Sequence, residues 1–292
     1  MTTDDTTTTV ATEAAPKPRA PRVKPPSEFQ SQEIQIADDP KQQAFAALFG
    51  TKYLDGFQDP VIFRNAKFYS PAVQQSYKRD FALISRTLYG EYIYRRRPAY
   101  NQAILDSFSN LCATKLAAIK ELLNRNVARI HTACKTQGQE VDASYLSFVS
   151  RTVPIIHAHA LQYLQCLQSL DLLLQATGSA TLNGVITAEQ RKEAELQARR
   201  AINAFSSMVR AESGKIRKEA RRVIEQVSPH DDEMKKAESV QSAAIEEFDA
   251  SEGGAEHSRD AAAAIDGMAA SARAVDNATA RSGQDEAAVV AA

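Results

Sequence analysis

The spacing of apolar residues predicts a mostly helical protein. From residue 72 to residue 227 they recur every three or four positions in four successive runs, the period of a helix buried on one face. Four helices are therefore expected, one from Ala72, one over 104–130, one over 146–174 and one from Thr187. Pro154 is the expected kink of the third of these helices. Breaks are expected at 95–98, at Gly138, at Thr177-Gly178-Ser179 and at Asn183-Gly184.

A strand followed at once by a short helix is predicted before these runs. Residues 31–36 alternate, with Ile34 and Ile36 on one side and Ser31, Glu33 and Gln35 on the other. Asp38-Asp39-Pro40 then predicts a helix start, and Gly50 predicts its end. The apolar Val61-Ile62-Phe63 indicates one more short strand in a long connection over 51–70.

Both ends of the chain differ from its middle. Residues 1–28 are mostly Thr, Ala and Pro and are expected to be disordered, with positive charges held apart by prolines from residue 16 to residue 26. Residues 228–292 have few large apolar side chains and are expected to form an acidic low-complexity tail. The predicted organisation is thus a disordered basic arm over 1–28, a mainly helical domain over 29–227, and the tail over 228–292.

The net charge of −1 conceals two opposite charges. Residues 31–227 carry a net +8 and residues 228–292 a net −9, an asymmetry that indicates contact with nucleic acid or a membrane. The tail could therefore fold back and compete with phosphate, or it could only keep the chain in solution. The last predicted helix has ten basic groups, which favours an electrostatic role over a surface helix neutralised by salt bridges. The ten are Arg191, Lys192, Arg199, Arg200, Arg210, Lys215, Arg217, Lys218, Arg221 and Arg222.

Several classes of protein are not expected from this sequence. No run approaches eighteen apolar residues, and the N-terminus lacks the features of a signal peptide. Cys112, Cys134 and Cys166 are expected to be buried and reduced, which favours a cytoplasmic location. His157 and His159 stand two apart on a predicted helix and are expected to face different sides. With no phosphate-binding glycine loop either, we predict no enzyme, no metal and no cofactor.

The alternating strand suggests a way to bind DNA. A two-stranded ribbon fits the major groove, and a lone strand would need its partner from a second copy, so a homodimer on double-stranded DNA is predicted. The residues predicted to contact base edges are Ser31, Glu33 and Gln35. Those predicted to contact phosphates are Lys17, Arg19, Arg22, Lys24 and Lys41. Those predicted to anchor the strand and form the dimer core are Ile34, Ile36, Phe45, Leu48 and Phe49.

Three pieces of sequence carry a resemblance to a known family. They are Gln32-Glu33-Ile34-Gln35-Ile36 running into Ala44-Phe45-Ala46-Ala47-Leu48-Phe49-Gly50, Ala160-Leu161-Gln162-Tyr163-Leu164 with Leu170-Asp171-Leu172-Leu173-Leu174, and Gly184-Val185-Ile186 leading to Arg199-Arg200-Ala201-Ile202. In them the chain resembles the AcaB-like regulators of integrating conjugative elements and conjugative plasmids, a divergent ribbon-helix-helix group. The resemblance implies a dimeric DNA-binding transcriptional activator of conjugative transfer genes, associated with the bacterial nucleoid or a plasmid. It makes the transcription machinery a further candidate partner.

The residues leave a second function open. The chain could be a helical interaction or scaffold protein of a conjugative transfer system, with the acidic tail contacting a basic partner. A basic helix without affinity for DNA at low salt would favour this alternative.

Overall fold

The computed structural model describes residues 39–51, 57, 59–227 and 229–251, which belong to one compact unit that begins at Ala37. In these ranges the chain is mostly helical, as predicted, and it contains one small antiparallel sheet. The elements in chain order are α1 (Pro40–Phe49), β1 (Ile62–Phe68), α2 (Pro71–Arg95), α3 (Gln102–Thr136), β2 (Val149–Ile155), α4 (Ala158–Leu182), α5 (Ala188–Gln226) and α6 (Asp232–Ala250). The predicted arm over 1–28 and the predicted strand over 31–36 lie outside the described residues.

Local signals in the sequence set the ends of two helices. The Asp39 carboxylate accepts a hydrogen bond from the Lys41 backbone N–H at 2.9 Å, so it caps α1. That helix ends at Gly50, whose φ of +94° disfavours any residue with a Cβ atom. At the start of α5, Thr187 and Gln190 cap each other reciprocally, as their spacing predicts.

The core is formed by α2, α3, α4 and α5, and α4 lies at its centre. Residues on most of the circumference of α4 are buried, in agreement with its wide apolar arc. A polar network crosses this core, because Asp80 on α2 is completely buried and accepts a hydrogen bond from the Tyr163 hydroxyl at 3.3 Å. Arg79 pairs with the same carboxylate and also donates to Asn203 on α5 at 2.7 Å. Asp80 is thus buried with partners that compensate its charge.

The predicted helix over 146–174 is wrong in its first part. Residues 149–155 form β2 instead, paired with β1 from Ile62 opposite Ile155 to Phe68 opposite Val149. Branched side chains favour this strand, and Pro154 is tolerated because a two-stranded sheet has only edge strands. The predicted strand at 61–63 is the beginning of β1. The break predicted at Thr177-Gly178-Ser179 is also wrong, since α4 continues through it to Leu182.

A packed helix, α6, lies inside the segment for which an acidic low-complexity tail is predicted. Its buried side chains recur every three or four residues, namely Met234, Ala237, Val240, Gln241, Ala244, Ile245 and Phe248. Several of these are small, so the pattern contains few large apolar residues although the face is continuous. α6 packs against α2 and α5, and Gly90 of α2 makes room for it: a Cβ atom there would stand 3.3 Å from Gln241 Oε1. The folded chain therefore extends at least to residue 250.

Candidate nucleic-acid interface

The ribbon, meaning the sheet of β1 and β2, has one end with an open polar face. Residues directly opposite each other in the register share a face, so Asn65 lies with Thr152, and Lys67 lies with Ser150. Thr152 Oγ1 donates a hydrogen bond to Asn65 Oδ1 at 3.2 Å, which orients the Asn65 amide. At the other end of the same face lie Phe63 and the buried Pro154. The open end therefore presents an amide, an ammonium and two hydroxyl groups.

The ribbon is cationic and carries no carboxylate. Arg64, Lys67 and Arg151 are exposed, and none forms an ion pair with any of the residues described. No Asp or Glu occurs in the sequence from 60 to 79 or from 143 to 170. Unpaired cations on strands without acids produce a positive potential that attracts phosphate groups. This is the feature that the sequence analysis missed, although the two acid-free stretches are visible in the sequence.

The ten basic groups of α5 are in a different situation. Seven of them form ion pairs, and the carboxylates come from α5 itself or from α6. Glu195 pairs with Arg191 and Arg199, Glu212 with Lys215, Glu219 with Arg222, Asp249 with Arg210, and Glu238 with Arg217 and Arg221. Lys192, Arg200 and Lys218 have no carboxylate partner in the described part of the chain. The alternative of a salt-bridged surface helix thus describes most of α5.

The predicted site residues that the structure describes lie on α1. Phe45, Leu48 and Phe49 are buried, and the Phe49 ring lies 5.6 Å from that of Tyr89 on α2. These contacts hold α1 against the rest of its own chain. That Phe45, Leu48 and Phe49 also form a dimer core stays a prediction. Lys41 is exposed, with Nζ 5.9 Å from the centre of the Phe63 ring on β1.

The other predicted site residues lie outside the described residues. They are Lys17, Arg19, Arg22, Lys24, Ser31, Glu33, Ile34, Gln35 and Ile36.

A buried polar cluster lies where α4 begins. The expectation that His157 and His159 face different sides is wrong: His157 precedes the helix as its N-cap, and the two ring centres are 5.0 Å apart. Glu91 on α2 is 1% exposed, and its Oε2 atom is 4.0 Å from His157 Nε2. Burial raises the pKa of Glu91 and lowers the pKa of His157 to about 4, so His157 is neutral at pH 7.

Other chemistry is limited in the part of the chain that the structure describes. The search of these residues finds no group of three or more His, Cys, Asp or Glu side chains that could hold a metal ion. All three cysteines are free and buried, as predicted, and burial raises the pKa of the Cys166 thiol to about 11. A thiol with so high a pKa is a poor nucleophile at neutral pH. None of the helices described is long and apolar enough to cross a membrane.

Comparisons with known proteins support a distant relationship in fold. No model of a protein family and no curated protein matches the sequence. Among solved structures, the chain is similar to that of selenomethionine-containing AcaB from uropathogenic E. coli, with a TM-score of 0.53 and 20% sequence identity. The match covers 63% of this chain and 100% of that one. At this identity the likeness concerns the fold alone.

Proposed function

We propose that this protein is a DNA-binding regulator and that the ribbon contacts the DNA. The observation that carries the proposal is that Arg64, Lys67 and Arg151 are exposed on two strands that contain no Asp or Glu. The register places Lys67 on the face of Asn65, and it places Arg64 and Arg151 on the opposite face. The major groove is about 12 Å wide and admits a two-stranded ribbon. The ribbon therefore combines a shape that enters the groove with the charge that attracts the backbone beside it.

Two kinds of contact are expected from this surface. The three cations, together with Lys41, neutralise phosphates and fix the orientation of the protein without selecting a sequence. Asn65 is the side chain suited to select bases, because an amide pairs in bidentate fashion with adenine. Its partner Thr152 and the exposed Ser150 accept or donate a single hydrogen bond each. The ribbon thus offers both positioning and recognition.

The regulated genes, the sign of regulation, the oligomeric state and the location in this proposal come from the sequence. The AcaB-like resemblance and the likeness in fold support a regulator of conjugative transfer genes, acting as an activator and as a homodimer in the cytoplasm. The proposal also retains base contacts by Ser31, Glu33 and Gln35. It assigns the protein no reaction and no cofactor.

The test compares two charge-matched variants of the full chain. The ribbon variant carries Arg64→Gln, Lys67→Gln and Arg151→Gln, and the control carries Lys192→Gln, Arg200→Gln and Lys218→Gln on α5. Binding to labelled promoter fragments from the protein's own operon is measured by fluorescence anisotropy over a range of salt concentrations. Each phosphate contact contributes roughly 0.9 to the slope of log K against log salt, so the ribbon variant should lose about 2 to 3 units of slope. The control should keep the slope of the unmodified protein.

Two results would count against the proposal. Equal losses in both variants would show that only overall charge matters and that the ribbon has no special part. Absence of binding by the unmodified chain at low salt would favour the alternative, a helical scaffold protein of a transfer system. The ion pairs that neutralise most of α5 are the observation that keeps this alternative open.

A further inference from the structure

Three exposed apolar side chains, here called the cluster, lie at the end of the ribbon: Tyr69 follows β1, Phe148 precedes β2, and Leu146 lies two residues before Phe148 in the chain. Leu146 is fully exposed, Phe148 is 50% exposed and Tyr69 is 36% exposed. The rings of Tyr69 and Phe148 are in contact, with their centres 5.6 Å apart. Large exposed apolar side chains that lie together, as Tyr69 and Phe148 do, mark a binding site more often than isolated ones do.

The backbone that carries this cluster is held firmly to α4. The Tyr69 and Ser70 N–H groups donate to the two carboxylate oxygens of Asp171 at 2.6 and 2.8 Å. Asp171 is 4% exposed, so water does not compete for these bonds. On the other side of the cluster, Gln175 Nε2 donates to the Ala143 carbonyl at 2.6 Å. The backbone at Tyr69 and at the start of the segment that leads to Leu146 and Phe148 is therefore fixed, which lowers the entropy lost on binding.

The charges near the cluster indicate which class of partner it binds. Lys67 Nζ lies 4.9 Å from the centre of the Phe148 ring, while Arg151, opposite Ala66 in the register, lies on the other face of the ribbon. The Asp171 carboxylate is already occupied by backbone N–H groups, while Glu140 and Asp142 lie at the far end of the connection, near Asn183 and Ser179. An apolar surface with a cation against it matches a nucleobase beside a phosphate, because a base offers an uncharged face within a polyanion.

We infer that Leu146 and Phe148 contact unstacked bases at the end of the DNA segment that the ribbon covers. This inference rests on the proposed function and extends it: the protein opens a base step besides binding the duplex. Apolar side chains placed against bases in this way partly unstack them and bend the duplex. Lys67, which lies against the Phe148 ring, holds a flanking phosphate while the step opens.

The experiment separates binding from unstacking. The full chain is mixed with a promoter duplex that carries a fluorescein end label for anisotropy, and with matched duplexes that carry 2-aminopurine at successive positions. The fluorescence of 2-aminopurine rises when its base leaves the stack. The test variant is Leu146→Ser with Phe148→Ser. The control is Leu172→Ser with Leu182→Ser, which removes two exposed apolar side chains of α4.

The unmodified protein and the control should raise the 2-aminopurine signal at one edge of the bound segment. The test variant should not show that rise, and its affinity should be lower by about five- to a hundredfold. Its salt slope should be unchanged, because no phosphate contact is removed. A rise that persists in the test variant would overturn the inference, as would binding by the unmodified protein without any rise. A change in oligomeric state in the test variant without an effect on the signal would also overturn it and assign the cluster to a second copy. Absence of binding in the anisotropy measurement would instead contradict the proposed function itself.

Discussion

Arg210 on α5 and Asp249 on α6 form a bidentate ion pair, with Nε 2.8 Å from Oδ1 and Nη2 2.5 Å from Oδ2. The pair joins the basic helix to the acidic segment that follows it. Glu238 and Glu247 of α6 likewise pair with arginines of α5 and α2. Basic groups before residue 228 and acidic groups of α6 are therefore in contact in the folded chain, although they are far apart in the sequence. The cations of the ribbon have no such partners among the described residues.

This ion pair should contribute little to stability. Both side chains are partly exposed, and exposed pairs are typically worth about 0.2 to 1 kcal/mol. A double-mutant cycle with Arg210→Gln and Asp249→Asn, measured by urea denaturation, should give a coupling energy in that range. A coupling above about 2 kcal/mol would mean that the pair is effectively buried and that α6 is attached by charge more than by packing.

Removal of α6 should destabilise the protein strongly. Ending the chain at Val227 uncovers the apolar face of α2 that α6 covers, and each large side chain there is worth about 1.5 to 3 kcal/mol. We expect the free energy of unfolding to fall by on the order of 5 kcal/mol. A chain that ends at Ser251 is the control and should unfold at the same denaturant concentration as the full chain.

The same two truncations bear on the hypothesis that the tail regulates DNA binding. A chain ending at Val227 confounds loss of the tail with loss of a packed helix. The chain ending at Ser251 removes only residues 252–292, which carry seven acidic and three basic groups. If this segment competes with phosphate, its removal should raise the affinity for non-specific DNA. Unchanged non-specific affinity would leave it as a segment that only aids solubility.

Two glycines in helices should respond differently to replacement. At Gly214 on α5 a Cβ atom meets nothing within 4 Å, so Gly214→Ala should stabilise the protein by up to about 1 kcal/mol. At Gly90 a Cβ atom stands 3.3 Å from Tyr94 Cε2 and from Gln241 Oε1. Gly90→Ala should therefore gain less than Gly214→Ala or lose stability, and Gly90→Leu should displace α6. Thermal unfolding of the three variants checks this, and equal gains for both alanine variants would show that α6 is not packed closely at Gly90.

The acid limb of the stability curve should depend on His157. Burial lowers its pKa from 6.5 to about 4, with His159 and Arg95 acting in the same direction. The unfolded chain then binds more protons between pH 6.5 and pH 4, so stability falls as the pH falls through this window, by up to about 3 kcal/mol. His157→Asn keeps an N-cap and should remove this loss, as measured by denaturation at several pH values.

Glu91 provides an internal check on the sign of this effect. Its pKa is raised by burial, so it contributes stability that is present at low pH and lost as the pH rises above 4.5. Glu91→Gln should therefore steepen the fall in stability on acidification, whereas His157→Asn should flatten it. The same slope in both variants would mean that neither group is titrating in the buried cluster.

Elements whose signals are local could be predicted from the sequence. The Asp39 cap and the Thr187–Gln190 capping box act over two or three residues, and the apolar periodicity of α3 continues over its whole length. For the same reason the breaks near Pro98 and at Gly138 were placed correctly. These features depend on neighbouring backbone geometry, which each short segment carries by itself.

Tertiary structure decided the elements whose partners are distant in the chain. Residues 149–155 have an apolar pattern that fits a helix or a strand, and pairing with residues 62–68 selects the strand. α6 has too few large apolar residues to be recognised alone, but its small face fits closely against Gly90. The cationic ribbon depends on both, since β2 brings Arg151 beside β1 while α6 neutralises arginines elsewhere. By itself the sequence determined how many charged groups the chain has. Only the fold decided which of these groups remain available to a ligand, because ion pairs depend on distances in space.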